Sequence, residues 1–440
     1  MSLLLRNARI VTMNDALDVV DGDVAIRDGR IVGVGRVADE PFDRVIDCGG
    51  DYVLPGLIQT HIHLCQTLFR GYADDMPLMQ WLRTRVWPME AAHTAATLRA
   101  AARLATTELL ASGTTAVLTM ETVHDTEAVF EEVAQSGIRA TIGKCMMDAD
   151  SQVPARLREQ TKASIDESLA LRRAWDGAAN GRIRVAFAPR FAVSCSRDLL
   201  EAVAALSVEQ RVLVHTHASE SREEIAIVRE LSGGLSNLAY LDSVRLATPH
   251  LCAAHCVWAD EDDQRLLAAR DVKVMHCPGS NLKLGSGIAP VVEMRRKGIT
   301  VSLGADGAAC NNRLDMFEEM RLAAVLQAVR HEPGALPARD VLWMATRSGA
   351  KTLGLEHEIG SVERGKKADL IRVRRQDVHL APDVDPYSTL VYATRGSDVR
   401  TTIVDGDVLV ENGDPVRLSR VDVAREAQLA AREIARRAGV

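Results

Sequence analysis

The chain reads as an α/β protein: a (β/α)8 TIM barrel carrying a small composite β-sandwich domain built from both chain ends. Three observations predict it. Eight apolar, strand-like runs (57–63, 114–120, 138–143, 183–189, 211–217, 251–256, 272–277 and 299–305) alternate with longer segments of helical character. Both flanks instead hold short β-rich runs broken by turn signals. Finally, the metal-capable residues end runs one, five, six and eight, and in a closed barrel those ends converge on one face. A doubly wound sheet would place its ligand at a single crevice, usually behind a glycine-rich phosphate turn after the first strand. His61 and His63 follow the first strand here.

In order along the chain, Ala8–Thr12, Val24–Arg27 and Ile31–Gly35 read as strands, separated by Asp28-Gly29 and Gly49-Gly50 turns. Pro55-Gly56 then punctuates the chain. Thr97–Ala111, Glu127–Ser136 and Asp315–Val329 are helical within the barrel region. Beyond residue 357, Ile359–Val362, Ala368–Val373, Arg400–Val404 and Val408–Glu411 read as strands, with Asp405-Gly406 as a hairpin turn. Residues 422–438 are rich in Ala, Arg and Glu and read as a terminal helix. The expected domains are therefore 1–55 and 358–440, joined as one satellite with that helix, around a barrel at 56–357.

The 440 residues suffice for one large barrel and a satellite. With 47% hydrophobic and 26% charged residues the chain is of the soluble globular class. A net charge of −7 and the lack of a basic block argue against nucleic acid as a partner. No window approaches the roughly 18 apolar residues of a membrane span, and the first residues lack signal-peptide architecture. The eight cysteines form no CxxC pair, so they read as reduced, mostly buried thiols in a cytoplasmic protein.

The chemistry lies at the strand ends. A lone histidine on an apolar strand is usually a core residue. His61 and His63, two apart, point to the same side of their strand, which favours a ligand pair. His215 and His217 repeat the spacing; His217, at the mouth and three residues before Glu220, is the better ligand, and His215 is expected to pack or hydrogen-bond deeper in the barrel. Cys252, Cys256 and Cys277 lie near His255 and His276, but thiolate sites usually come as paired cysteines. Asp306 before Gly307 would alone be a turn residue; beside the other strand ends it reads as a ligand. Three imidazoles and a carboxylate suit a zinc-type divalent ion, and iron or manganese also fit. Glu220 and His255 remain as spare acid/base groups, as a water-activating hydrolase needs.

Pro55-Gly56-Leu57 before His61-x-His63, His217-x-x-Glu220, Ala254-His255-Cys256, the stretch Cys277 to Gly287, Gly304-Ala305-Asp306-Gly307 and Gly360 to Leu370 together resemble the amidohydrolase superfamily. Within it they look like the mononuclear aminohydrolases: methylthioadenosine/S-adenosylhomocysteine deaminases, guanine deaminase and the s-triazine hydrolases. The resemblance covers nearly the whole chain. It implies one metal ion, usually zinc, on His61, His63, His217 and Asp306, with Glu220, His255 and Asp306 catalytic. Binuclear relatives carry a modified Lys after strand four, where this chain has Pro189-Arg190; Lys144, after strand three, reads as an ordinary solvated charge. His276 is expected either as an outer partner of the site or as a buried structural histidine.

The resemblance implies hydrolytic deamination of an amino-substituted N-heterocycle, foremost an aminopurine base or nucleoside. An s-triazine or pterin hydrolase with the same machinery is the runner-up, and a non-catalytic scaffold a distant third. Glu90 matches a position that holds ribose hydroxyls in adenosine-type deaminases, although a solvated helix-start Glu reads as readily. Gln66 and Arg190-Phe191 look like guanine deaminase, whereas 254–312 looks closer to the adenosine and triazine enzymes. The segment 65–90 is expected to close over the substrate, and large barrels of this kind commonly form homo-oligomers.

Overall fold

The computed structural model describes residues 2–38, 40–149 and 153–440. Leu57–Ile62, Thr114–Met120, Arg139–Met146, Ile183–Pro189, Val214–Ala218, Leu251–His255, Lys273–His276 and Val301–Leu303 form a parallel sheet in chain order. All eight runs expected from the sequence are strands. Nearly every residue in them is buried, because helices cover the outside and side chains fill the inside.

The eighth strand returns to the first. Thr60 Oγ1 donates to the Leu303 carbonyl (2.9 Å), and the Asp306 N–H donates to the His61 carbonyl (3.1 Å). Gly304 permits that approach, since a Cβ there would lie 2.5 Å from the His61 oxygen. The opposite end of the barrel is plugged. Ile58, Leu118, Cys252 and Met275 pack with Ala350, Leu353 and Leu355, and Thr352 Oγ1 donates to Ser302 Oγ (3.0 Å).

The chain ends fold into one mixed nine-stranded sheet. Tyr52–Pro55 is its hinge, pairing parallel with Ser2–Val11 and antiparallel with Leu370–Val373. Val399–Val404 and Asp407–Glu411 continue the sheet on one side, and Val19–Arg27 and Arg30–Gly35 on the other. The turn between Val404 and Asp407 is Asp405-Gly406, both with positive φ (53° and 84°), the geometry of a tight hairpin. A buried ion pair ties sheet to barrel: Arg139 on the third barrel strand holds Asp369 through two bonds of 2.7 and 2.9 Å.

Three expectations need adjustment. Ile359–Val362 is no regular strand: Gly360 turns the chain at φ 89° against Ala350, and Val362 makes one strand-like bond, to the Thr12 carbonyl (2.7 Å). Arg44–Asp47 and Tyr52–Pro55 are strands that the residue pattern did not reveal, since each is only four residues long. The terminal helix, Arg420–Ala438, packs along the barrel helix Ala95–Ala111, where Arg103 reaches Glu426 (2.7 Å), rather than on the sheet. All eight cysteines are buried and free, as expected. Among the described residues no helix is long and apolar enough to cross a membrane.

Candidate active site

The strand ends bring His61, His63, His217, His255, Glu220 and Asp306 together. His61 and His63 end the first strand, His217 lies on the fifth, His255 closes the sixth and Asp306 follows the eighth. Ser219, His255 and Asp306 adopt left-handed backbone conformations (φ 53°, 70° and 63°). Such conformations cost a non-glycine residue energy and recur where a site dictates direction. Each turns the chain sharply where a barrel strand ends.

Four ligand atoms face one another. His61 Nε2 and His63 Nε2 lie 3.3 and 3.2 Å from Asp306 Oδ1, and His63 Nε2 lies 3.3 Å from His217 Nε2. Tetrahedral coordination with bonds of about 2.0–2.1 Å requires ligand separations of about 3.3–3.4 Å. The proton positions agree. His63 Nδ1 donates to the Met120 carbonyl (2.7 Å) and His217 Nδ1 to the Arg190 carbonyl (2.7 Å). Both Nε2 atoms of the neutral rings then carry lone pairs pointing at each other, an arrangement that a cation relieves. His61 Nδ1 is engaged by His215 Nε2 (2.6 Å), while His61 Nε2 is buried without a hydrogen-bond partner among the described residues. The donor set therefore fits one divalent ion of zinc type. His215 lies where the sequence put it, deeper in the strand, and its contact is with His61 of this cluster.

The acid/base groups surround this cluster. His255 Nε2 stands 3.8 Å from Asp306 Oδ2 and 3.6 Å from Glu220 Oε2, its Nδ1 held by Asn281 Oδ1 (2.8 Å). Asp306 accepts from Ser280 Oγ at Oδ2 and from the Gly307 N–H at Oδ1, both at 2.7 Å. Burial, reinforced by the carboxylates of Asp306 and Glu224, pushes Glu220 well above the ordinary carboxylate range. Its backbone is fixed by a capping box at Arg222–Ser232. Ser221 Oγ accepts from the Glu224 N–H (3.1 Å), and the Glu224 carboxylate accepts the Glu220 N–H (2.7 Å). Glu220 is thus a carboxyl in a dry place whose affinity for a proton is raised, which suits it to proton transfer.

Above the cluster lies a narrow cleft of about 20 Å³, walled by Leu78, Trp81, Leu82, Phe191 and Leu284 and reached by Gln66 and Arg190. Leu78, Trp81 and Leu82 belong to segment 65–90, so the expected cover is one wall of the cleft. Arg190 reaches Glu90 through bonds of 2.6 and 3.2 Å, and Gln66 Nε2 donates to the same carboxylate (2.9 Å). Glu90 is only 2% exposed, so it is no solvated surface residue. It stands behind Gln66 and Arg190, leaving Gln66 Oε1 buried and without a hydrogen-bond partner among the described residues.

His276 is buried with both ring nitrogens unpartnered among the described residues, its pKa pushed down to about 3 by burial and by His255. Among the described residues it makes no hydrogen bond to the His61–His63–His217–Asp306 cluster. Lys144 is not solvated: it is 1% exposed, and Nζ holds both oxygens of Glu159 at 2.7 Å. Burial raises the Cys252 thiol to about 12, well away from thiolate chemistry. Sequence reasoning passed over Ser280, Asn281, Trp81 and Leu284, whose residue types carry no chemical signature.

The sequence model of the amidohydrolase family matches residues 52–409. The chain is 42% identical to a 5′-deoxyadenosine deaminase of Methanosarcina acetivorans over 438 residues, 99% of each chain. Among solved structures it superposes on an adenosine deaminase of Xanthomonas campestris with bound zinc (TM-score 0.92, 32% identity, 98% of each chain). It also superposes on an atrazine chlorohydrolase of Arthrobacter aurescens complexed with zinc (TM-score 0.91, 26% identity, covering 98% of this chain and 100% of that one).

Proposed function

The chain belongs to the amidohydrolase family, and from that premise we propose that it hydrolytically deaminates the aminopurine ring of an adenosine-type nucleoside, releasing ammonia. The observation that carries the reading is the buried Glu220 carboxyl lining the same narrow cleft as the His61–His63–His217–Asp306 cluster, 3.6 Å from His255 Nε2. The similarity to a 5′-deoxyadenosine deaminase and an adenosine deaminase favours an adenosine over a triazine.

Zinc on His61, His63, His217 and Asp306 would supply Lewis acidity that makes water a nucleophile near neutral pH. The remaining steps fall to the chain. Glu220 gives its proton to the ring nitrogen beside the amino-bearing carbon, so that carbon accepts the water oxygen. Asp306 Oδ2, free of the ligand edge, takes a proton from the attacking water, and Ser280 keeps that oxygen aimed. His255, whose Nδ1–H is held by Asn281 Oδ1, accepts an O–H of the attacking water at Nε2 and helps hold it in place. The proton held by Asp306 then passes to the amino group; as ammonia leaves, the hydroxyl oxygen gives up its remaining proton, which returns to Glu220, and the ring keeps a carbonyl beside the protonated ring nitrogen. The apolar wall of Leu78, Trp81, Leu82 and Phe191 stacks the ring and excludes bulk water. Gln66 and Arg190 meet the polar edges of the substrate, held in register by Glu90, and His276 acts as buried packing.

We further assign self-association and a cytoplasmic setting, tested by light scattering and by fractionation. A steady-state panel measuring ammonia release from adenosine, 5′-deoxyadenosine, 5′-methylthioadenosine, guanine, a pterin and melamine tests the central reading. An adenosine should give the largest kcat/KM. No ammonia from any purine overturns the proposal, and turnover of melamine or the pterin alone would replace it with a triazine or pterin hydrolase.

A further inference from the structure

A buried carboxylate outside the proposed chemistry joins two of the loops that aim it. Glu319 lies in the first turns of Met316–Arg330 and is 1% exposed. Its Oε2 accepts the Gly279 N–H (3.0 Å) and its Oε1 accepts Asn311 Nδ2 (2.8 Å). Gly279 immediately precedes Ser280, which binds Asp306 Oδ2, and Asn281, which binds His255 Nδ1. Asn311 Nδ2 also donates to the carbonyl of Ala305 (2.7 Å), the residue before Asp306. One carboxylate therefore connects the loop after the seventh strand to the loop after the eighth.

The packing leaves little slack. A Cβ at Gly279 would lie 2.5 Å from Glu319 Oε1 and 2.8 Å from the Asn311 amide. Asp306 and His255 each hold a left-handed backbone, to which Asp306 adds a local bond from the Gly307 N–H to its own Oδ1. Ser280 and Asn281 supply the bonds from a neighbouring loop that aim the two side chains.

We propose that Glu319 is a positioning residue, setting the separation between Asp306 and His255 by clamping the Gly279–Asn281 and Ala305–Asn311 segments together. The inference rests on the roles given to Asp306 and His255 above. It makes Glu319→Gln informative: a Gln amide cannot accept from Gly279 and Asn311 at once, because one of its two ends is a donor.

The test measures kcat, KM and zinc retention against a competing chelator for E319Q, S280A and the double variant. E319Q should lower kcat about 10- to 100-fold, the usual effect of removing an outer hydrogen-bond partner, with KM changed less than about threefold. It should also release zinc more readily, a readout that does not depend on which heterocycle is the substrate. The double variant should lose somewhat less than the product of the single losses, because the limb from Gly279 through Ser280 to Asp306 is shared. Wild-type kcat and zinc retention in E319Q overturn the proposal. If E319Q fails to fold, N311A decides: it cuts only the Ala305 limb, and wild-type kcat and zinc retention there refute the clamp.

Discussion

Glu220→Gln separates chemistry from architecture more cleanly than any other substitution in the cluster. The side chain is buried, and burial plus the Asp306 and Glu224 carboxylates raise its pKa well above the ordinary carboxylate range. Gln has the same shape and is also uncharged, so the swap removes a transferable proton without removing a charge. Its side-chain hydrogen bond from Ser286 Oγ, at 3.5 Å, survives with the amide oxygen as acceptor. Loss of a positioned general acid typically costs about 10²- to 10⁴-fold in rate, equivalent to about 2.7–5.4 kcal/mol of barrier. Ammonia release under saturating substrate should fall by that factor while zinc content stays stoichiometric. Stability should move the other way. The folded pKa lies above the unfolded value of about 4.5, so the wild type has its full stability below that pH and loses it as pH rises toward the folded pKa. In metal-free protein E220Q should therefore gain on the wild type above pH 4.5, by up to about 1.4 kcal/mol per pH unit, read from urea midpoints at several pH values. A kcat within threefold of wild type would refute Glu220 as the proton donor; a flat stability difference across pH would refute its protonated state.

Other outcomes follow from neighbouring contacts. His215→Ala removes the partner of His61 Nδ1, and zinc affinity measured by chelator competition should weaken about 10- to 100-fold. Glu90→Ala strands the buried Arg190 guanidinium; a cost of about 3–5 kcal/mol is expected, and E90A/R190M should recover much of it in thermal denaturation. His276 has a folded pKa of about 3 against an ordinary 6.5, so its contribution is complete above pH 6.5 and is lost as pH falls toward 3. His276→Met should flatten the acid side of the stability profile by about 1.4 kcal/mol per pH unit across that window; an unchanged acid slope would show that the ring is not held neutral.

The sequence by itself determined the barrel and named the residues that the structure gathers at its mouth. Strand periodicity, turn glycines and the histidine pairs at 61/63 and 215/217 are local signals, and each survives as a strand or a strand end in the structure. What it left open depends on contacts between residues far apart in the chain. Gln66, Glu90 and Arg190 could be named from their positions, yet only packing puts Glu90 behind the other two, where its charge is spent on Arg190. Lys144 looked like a surface charge because nothing near it in sequence announces Glu159 folding over it. Tyr52–Pro55 became the link between the two chain ends because strand pairing there is with residues more than three hundred positions away. Hydrophobic patterning fixes which face of an element is buried; which side chain meets which across the barrel mouth is decided when distant loops close on one another, and that is a property of the folded chain.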